Sequence, residues 1–365
     1  MANKHEAWEL AQMQSLSLES KIRMTQQRIR GWYEHWDGQV YVSFSGGKDS
    51  TVLKHIVDGM YNDVPAVFVN TGLEYPEIQS FVRDIKAGKY DCFNSDVEII
   101  RPEMRFDEVI KFYGYPVISK DVAQAIFDAR TQAKINNIDV RETRLYNRGF
   151  NPESEYCKKY PQYSRAKWVF MFDAPFLVSH RCCDVMKKKP SKSYEKKTGR
   201  KAIVGTMAWE SRLRRTKWMQ QGCNAFESKR PKSQPLSFWT EQDIYHYIKK
   251  YNVPYCSVYG DIVIDEKVDG ENILEGQMNL IDYLNCHEEG DKLKTTGCDR
   301  TGCVYCMFGC HIDKGENNFQ RLKRTHPRQY EYCIGGGEYN EEGKWQPSKE
   351  GLGLAKVLDY IGVKY

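Results

Sequence analysis

At 365 residues the chain has room for about two domains and for a core that needs no covalent staple. Its composition, 41% hydrophobic and 28% charged, is that of an ordinary globular protein and excludes a disordered or fibrous chain. No run approaches the roughly 18 apolar residues of a membrane span, the first residues lack an apolar leader, and a net charge of +5 does not by itself call for nucleic acid, so the expectation is a cytoplasmic protein with no membrane partner.

Residues 1 to about 36 carry Leu10, Met13, Leu16, Ile22 and Met24 at helical spacing, which predicts one or two N-terminal helices. The period then changes. Val40–Phe44 reads as a strand, a Gly-rich loop follows, and Val52, Leu53, Ile56 and Val57 continue as a helix. Val64–Val69 is a second strand with Asn70-Thr71-Gly72 as its exit turn, and residues 74–86 form a helix with Pro76 in the first turn. Val97–Ile100 is a third strand, followed by helices over 106–112 and 119–136. Strands alternating with helices imply βαβ units and a doubly wound, mostly parallel α/β sheet, whose ligands bind beyond the carboxyl ends of its strands. Residues 147–163 are rich in turn formers, Phe176–Ser179 and Ala202–Met207 read as strands, and Thr240 caps a helix to Tyr251. Residues 256–297 are irregular; a single helix over 317–333 and a triple-glycine break follow. The expected division is a helical segment 1–36, a nucleotide-binding α/β domain 37–255 and an irregular cysteine-rich region 256–365.

The loop Ser45-Gly46-Gly47-Lys48-Asp49-Ser50 joins the first strand to the next helix. Two residues without Cβ let backbone N–H groups approach an oxyanion, and the helix points its positive end at the same place. Lys48 adds a charge, Ser45 and Ser50 add hydroxyls, and Asp49 is suited to hold magnesium or orient a reacting group. The spacing is not that of a Walker A motif. The competing reading is a tight turn with incidental polar residues; the strand–loop–helix order favours pyrophosphate binding.

The twelve cysteines are unevenly spread: Cys182 and Cys183 are adjacent, and Cys298, Cys303, Cys306 and Cys310 fall in a C-x4-C-x2-C-x3-C run, a spacing compatible with iron–sulfur or zinc ligation. Cys92, Cys157 and Cys256 read as small buried hydrophobes. Arg181 and Lys187–Lys189 beside the first pair would favour thiolates. Eight Lys or Arg between Lys187 and Lys201, with one acid, Glu195, make a patch for phosphate groups, or else a solvated loop.

Residues 45–50 resemble the SGGKDS loop of the PP-loop ATP pyrophosphatase superfamily. The segment Asn70-Thr71-Gly72-Leu73-Glu74-Tyr75-Pro76-Glu77, the Cys182-Cys183 pair, Gly205 to Arg214, Pro235 to Ile244 and Cys303-x-x-Cys306 are similar, in order, to motifs of the phosphoadenosine phosphosulfate (PAPS) reductase family. The resemblance covers roughly residues 35–310 and implies an adenine nucleotide alpha hydrolase-like fold. It further implies nucleotide contacts from Ser43, Ser45, Gly46, Gly47, Lys48, Asp49, Ser50, Asn70, Thr71, Gly72, Glu74, Gly205, Glu210, Ser211 and Arg214. In the cluster-bearing reductases the two cysteine pairs hold a [4Fe–4S] cluster, which implies Cys182, Cys183, Cys303 and Cys306 as ligands here; a mixed set using Cys298 or Cys310, and zinc, are the alternatives.

Two departures separate the chain from assimilatory reductases. The Glu-Cys-Gly-x-His tail is absent, leaving Cys333 as the nearest catalytic cysteine or else a packed helical residue capped by Gly335, and Met207 stands where the family has an arginine, with Arg212 or Arg215 as possible substitutes. These departures favour a divergent member similar to the DndC subunit of DNA phosphorothioation or to phage-type relatives. The reaction expected is ATP-dependent, pyrophosphate-releasing sulfur transfer, with Lys48 and Asp49 at the phosphates and a nucleic-acid acceptor on Lys187–Lys201. The alternatives are a sulfonucleotide reductase acting on adenylyl sulfate or PAPS with a thioredoxin-like reductant, and a nucleotide-sensing module without turnover. Trp209 and Trp239 read as core residues before stacking platforms, and Asp243 as a first-turn dipole charge.

Overall fold

Leu10, Leu18, Ile22, Ile29 and Trp32 form the buried stripe of two N-terminal helices, Ala7–Gln14 and Leu18–His35, the second capped by the Ser17 hydroxyl. The computed structural model describes residues 4–265, 292–313 and 315–365, and among these no helix is long and apolar enough to cross a membrane. The chain forms two compact units. One comprises residues 1–70, 74–100 and 191–301, the other residues 71–73, 101–190 and 302–365. Each is discontinuous, which differs from the linear division expected from the sequence.

The first unit is built on a six-stranded sheet. In spatial order its strands are Val97–Ile100, Ala66–Val69, Val40–Phe44, Lys201–Val204, Lys232–Ser233 and Asn224–Ala225. All neighbours are parallel except the last pair. Val40, Val42 and Phe44 are buried, as a strand covered on both faces requires. From this central strand the chain first winds one way, through Ala66–Val69 (Val42 opposite Ala66), and later the other, through Lys201–Val204 (Val42 opposite Ile203). The carboxyl end of Val40–Phe44 is therefore the topological switch point, where doubly wound sheets open a crevice, and the glycine loop starts at the next residue. The fold class read from the sequence is the fold observed.

The segment Pro235–Ile244 ties this sheet to the N-terminal helices. Thr240 caps the helix Glu241–Lys250, and Asp243 closes a capping box on it. Asp243 also takes both oxygens to the buried Lys21 ammonium, at 2.8 and 2.9 Å, so it is an ion-pair partner as well as a dipole charge. Trp239 is fully buried and donates from Nε1 to Thr25 Oγ1 at 2.9 Å, a core residue as expected.

In the second unit Ser119 caps the long helix Lys120–Asn136. Phe150, Phe176, Phe319, Leu322 and Leu354 are among its fully buried residues. Val117–Ile118 pairs in parallel with Met307–Phe308, joining segments almost two hundred positions apart. Three local expectations change. Phe176–Ser179 makes only isolated bridges, Phe176 to Trp345 and Val178 to Tyr115, so no strand extends there. The single helix expected over 317–333 is two, Asn318–Thr325 and Pro327–Ile334, because Pro327 lacks an N–H and holds His326 out of helical conformation. Part of the irregular region 256–297 is a hairpin-like pair, Ile262–Ile264 with Leu293–Thr295; its residues 266–291 lie outside the described residues.

Candidate functional site

The loop after the central strand is shaped by its glycines. Gly46 has φ +71°, and a Cβ there would meet Ile78 Cγ2 at 2.9 Å. Ser45 N–H donates to Ser50 Oγ at 3.2 Å and the two hydroxyls lie 2.9 Å apart, closing the loop on the first turn of the helix Lys48–Asp58. Lys48 is buried. Its ammonium donates to Glu241 Oε1 at 2.7 Å and to the Asp299 carbonyl at 2.6 Å, and its backbone N–H donates to the Tyr259 hydroxyl at 3.2 Å. Burial works against its charge, but the Glu241 hydrogen bond and charge outweigh it and hold the lysine above its ordinary range. Tyr259 in turn lies 2.6 Å from Thr301 Oγ1. Residues 259–301 thus supply polar partners to the loop that its sequence does not announce.

Asp49 is turned inward, and its Oδ1 is buried with no hydrogen-bond partner among the described residues. Burial raises its pKa, against the opposing charges of Lys48, Arg300 and Arg214. Gly205 lets the neighbouring strand approach here, since a Cβ would meet the Asp49 carbonyl at 3.1 Å. Glu210 accepts from Met207 N–H at 2.9 Å and pairs with both Arg214 and Arg300. Ser211 caps the helix Arg212–Gln221 by accepting from Arg214 N–H. The fold thus brings Arg300 beside Glu210, whereas Arg212 and Arg215 are exposed. Arg300 went unread because only the fold brings it beside Glu210.

Ser43 is a half-buried strand residue opposite Val67 and Val204. Asn70 N–H donates to the Ile100 carbonyl at 2.8 Å, Thr71 Oγ1 accepts from Leu73 N–H at 3.2 Å, Gly72 turns with φ +74°, and Glu74 is half-buried.

In the second unit the structure brings together the two cysteine pairs. Cys182 Sγ lies 4.0 Å from Cys183 Sγ, and the Cys183, Cys306 and Cys303 thiols all bear on Cys182 and raise its pKa along with burial. Cys183 moves the other way, to about 5, through the hydrogen bond from Cys182 and the charges of Lys120 and Lys187. Lys120 was not singled out by sequence; Ser119 and the strand pair Val117–Ile118 with Met307–Phe308 set it there. Ile118 holds φ +63°, a costly conformation for a β-branched residue and one that clusters at functional sites. The rival thiols are engaged locally: Cys298 donates to the Arg300 carbonyl at 3.2 Å and Cys310 to the Met307 carbonyl at 3.0 Å. Among the described residues no three His, Cys, Asp or Glu side chains converge as they would on a single ion. The thiols of Cys182, Cys183, Cys303 and Cys306 lie close enough to influence one another, with Lys120 and Lys187 beside Cys183.

Cys333 is fully buried in the helix Pro327–Ile334, its thiol pushed up to about 12 by burial, with Gly335 as the cap. This is the packing that the second reading of Cys333 expected. Cys157 and Cys256 are buried as expected, whereas Cys92 is exposed. In the basic stretch, Lys188 pairs with Asp184 at 2.7 Å and Lys189 with Glu103, so part of its charge is neutralised. Trp209, expected in the core, is 50% exposed.

A glycine loop at the switch point of a doubly wound, mostly parallel sheet defines an α/β protein whose crevice opens at that loop. The phosphoadenosine phosphosulfate reductase domain matches residues 39–124 and 120–308, and the chain belongs to that family. It is 24% identical over 305 residues to an uncharacterized protein of Methanocaldococcus jannaschii, covering 83% of this chain and 42% of that one. It is 22% identical over 238 residues to the adenosine 5'-phosphosulfate reductase of Oceanobacillus iheyensis, covering 64% and 71%. The chain thus spans less than half the length of the Methanocaldococcus relative. Among solved structures it is similar to a PAPS reductase from Candida auris in a phosphate complex (TM-score 0.36, 16% identity, 64% of this chain, 82% of that one). It is also similar to a U34-tRNA thiolase from Methanococcus maripaludis with its [4Fe–4S] cluster (TM-score 0.31, 14% identity, 65% and 66%).

Proposed function

We propose that this family member is an enzyme that binds ATP at the loop 45–50, releases pyrophosphate and transfers sulfur to a large anionic acceptor. The observation that carries the reading is the loop itself, with Lys48, Arg214 and Arg300 gathered around the inward-facing Asp49. In this reading an acceptor oxygen attacks the α-phosphorus of ATP. The bond to the bridging oxygen breaks and pyrophosphate leaves, its charge met by Lys48 and the loop N–H groups. A sulfide-level sulfur then attacks the activated acceptor atom, and AMP departs with the oxygen; the exchange is redox-neutral. Cys182, Cys183, Cys303 and Cys306 are the residues that would hold a [4Fe–4S] cluster, which would supply a Lewis-acidic site for sulfide. Lys120 and Lys187 favour the thiolate of Cys183, the form such ligation needs. Asp49 would hold magnesium on the phosphates or orient the attacking group.

The test is pyrophosphate release from magnesium ATP by anaerobically purified protein, with and without single-stranded nucleic acid, alongside iron and sulfide analysis. Acceptor-dependent release that disappears in Lys48→Met is expected; no nucleotide cleavage under reducing, anaerobic conditions would sink it. The similarity to the Oceanobacillus adenosine 5'-phosphosulfate reductase favours a second reading, reduction of a sulfonucleotide to sulfite. The burial of Cys333 weighs against it, and sulfite production from adenylyl sulfate distinguishes the two.

A further inference from the structure

We propose that the outward face of the helix Arg212–Gln221, with Trp209 at its head, is the docking surface for a single-stranded nucleic-acid acceptor. The inference rests on the sulfur-transfer reading above and names the acceptor's seat.

The helix has two sides of different character. At about 100° per residue, Arg214 and Trp218 fall on one side, and Arg215, Arg212, Leu213 and Lys217 fan over about 200° of the other. Burial follows that division: Trp218 is buried and Arg214 turns in to Glu210, whereas Arg212, Leu213, Arg215 and Lys217 are exposed. None of the last four has a carboxylate partner among the described residues, while the inward cations Arg214 and Arg300 share Glu210. Three unpaired cations on one short helix offer phosphates a row of contacts with no ion pair to break first.

The aromatic beside them selects among polyanions. Trp209 is 50% exposed and Leu213 65%, whereas Trp32, Trp218 and Trp239 of the same unit are buried. An open indole next to cations is a stacking platform that an unpaired base can use and a duplex cannot. A membrane surface would need a continuous apolar face, and here Leu213 is the lone large apolar residue of the outward arc. The position also suits chemistry. Arg214, on the opposite side of the same helix, belongs to the Asp49–Glu210–Arg300 group, so a strand on the outer face lies about one helix diameter, roughly 10 Å, from that group. The Lys187–Lys201 stretch also exposes Lys192, Lys196 and Lys197, but it sets no open aromatic beside them: Tyr194 is buried, and Lys188 and Lys189 are paired.

The test measures binding of a fluorescein-labelled, mixed-sequence single strand to the full-length protein by anisotropy, with the same strand in duplex form and anionic phospholipid vesicles as comparators. Arg212→Glu/Arg215→Glu/Lys217→Glu should weaken single-strand binding at least tenfold and reduce the slope of log affinity against log salt by about 2. Trp209→Ala should weaken it by about tenfold while leaving the salt slope unchanged. These positions are exposed, so the variants keep the fold, checked by an unchanged melting temperature and ATP affinity. The proposal is overturned if Lys192→Glu/Lys196→Glu/Lys197→Glu abolishes binding and the helix variants do not, if duplex binds as well as single strand and ignores Trp209, or if only vesicles bind. Pyrophosphate release is read in parallel. Single-strand binding that depends on the helix, without any ATP cleavage, refutes the enzymatic reading and keeps the surface; cleavage with no strand binding does the reverse.

Discussion

Asp49 shows at the scale of one side chain how a buried carboxylate is held at a cost. It sits in the first turn of its helix, where the dipole welcomes a carboxylate, yet burial leaves Oδ1 without a partner among the described residues and raises its pKa. A raised folded pKa means that the protonated form is the one the fold prefers. The penalty for ionisation is absent below the ordinary carboxylate range near 4, grows as pH rises through the folded value, and is fully present above it. Asp49→Asn should therefore stabilise the nucleotide-free protein at neutral pH by roughly 1 kcal/mol, with little gain at pH 4, while abolishing pyrophosphate release. A lower melting temperature at pH 7 would refute this. Glu241 poses the complementary case: it neutralises Lys48 before any phosphate arrives. Glu241→Gln removes a like charge from the phosphate site and should tighten ATP binding by about fivefold, measured by calorimetry; weaker binding would mean that Glu241 positions the lysine rather than competing for it.

At the scale of elements, the legible parts were those whose signal is local. Short runs rich in β-branched and aromatic residues announced the strands Val40–Phe44 and Val97–Ile100, and Pro76, Ser119 and Thr240 announced helix starts. What the sequence hid was the company each element keeps. The pairing of Lys21 with Asp243 spans more than two hundred positions and leaves no trace at either one. It predicts that Lys21→Met, by stranding a buried carboxylate, costs about 3–5 kcal/mol in urea unfolding, and that Lys21→Met/Asp243→Asn recovers part of the loss. The same holds for the candidate site. The loop and the cysteines were legible as motifs, but Arg300, Tyr259 and Lys120 reach them only through the fold. Cys333 was legible both as a catalytic thiol and as a packed helical residue, and its burial agrees with the second. Cys333→Ala should keep at least half of the pyrophosphate-release activity and full iron content; loss of turnover with iron retained would restore it as a nucleophile.

At the scale of the whole chain, the two units interleave in sequence, and composition carries no mark of where the chain leaves one and enters the other. The thiol groups divide accordingly. Cys182, Cys183, Cys303, Cys306 and Cys310 belong to the second unit, and Cys298 to the first, along with the glycine loop 45–50. Ligation that joins Cys182-Cys183 to Cys303-x-x-Cys306 closes a loop of more than a hundred residues and stabilises only the folded form of the unit that holds all four. Calorimetry of anaerobically purified protein should then show that iron chelation lowers one unfolding transition by several degrees and leaves the other in place. Cys182→Ser should reproduce the shift without chelator, and Cys298→Ser should not. If Cys298→Ser instead strips the iron, the ligand set would have to draw on both units, and chelation would move both transitions together.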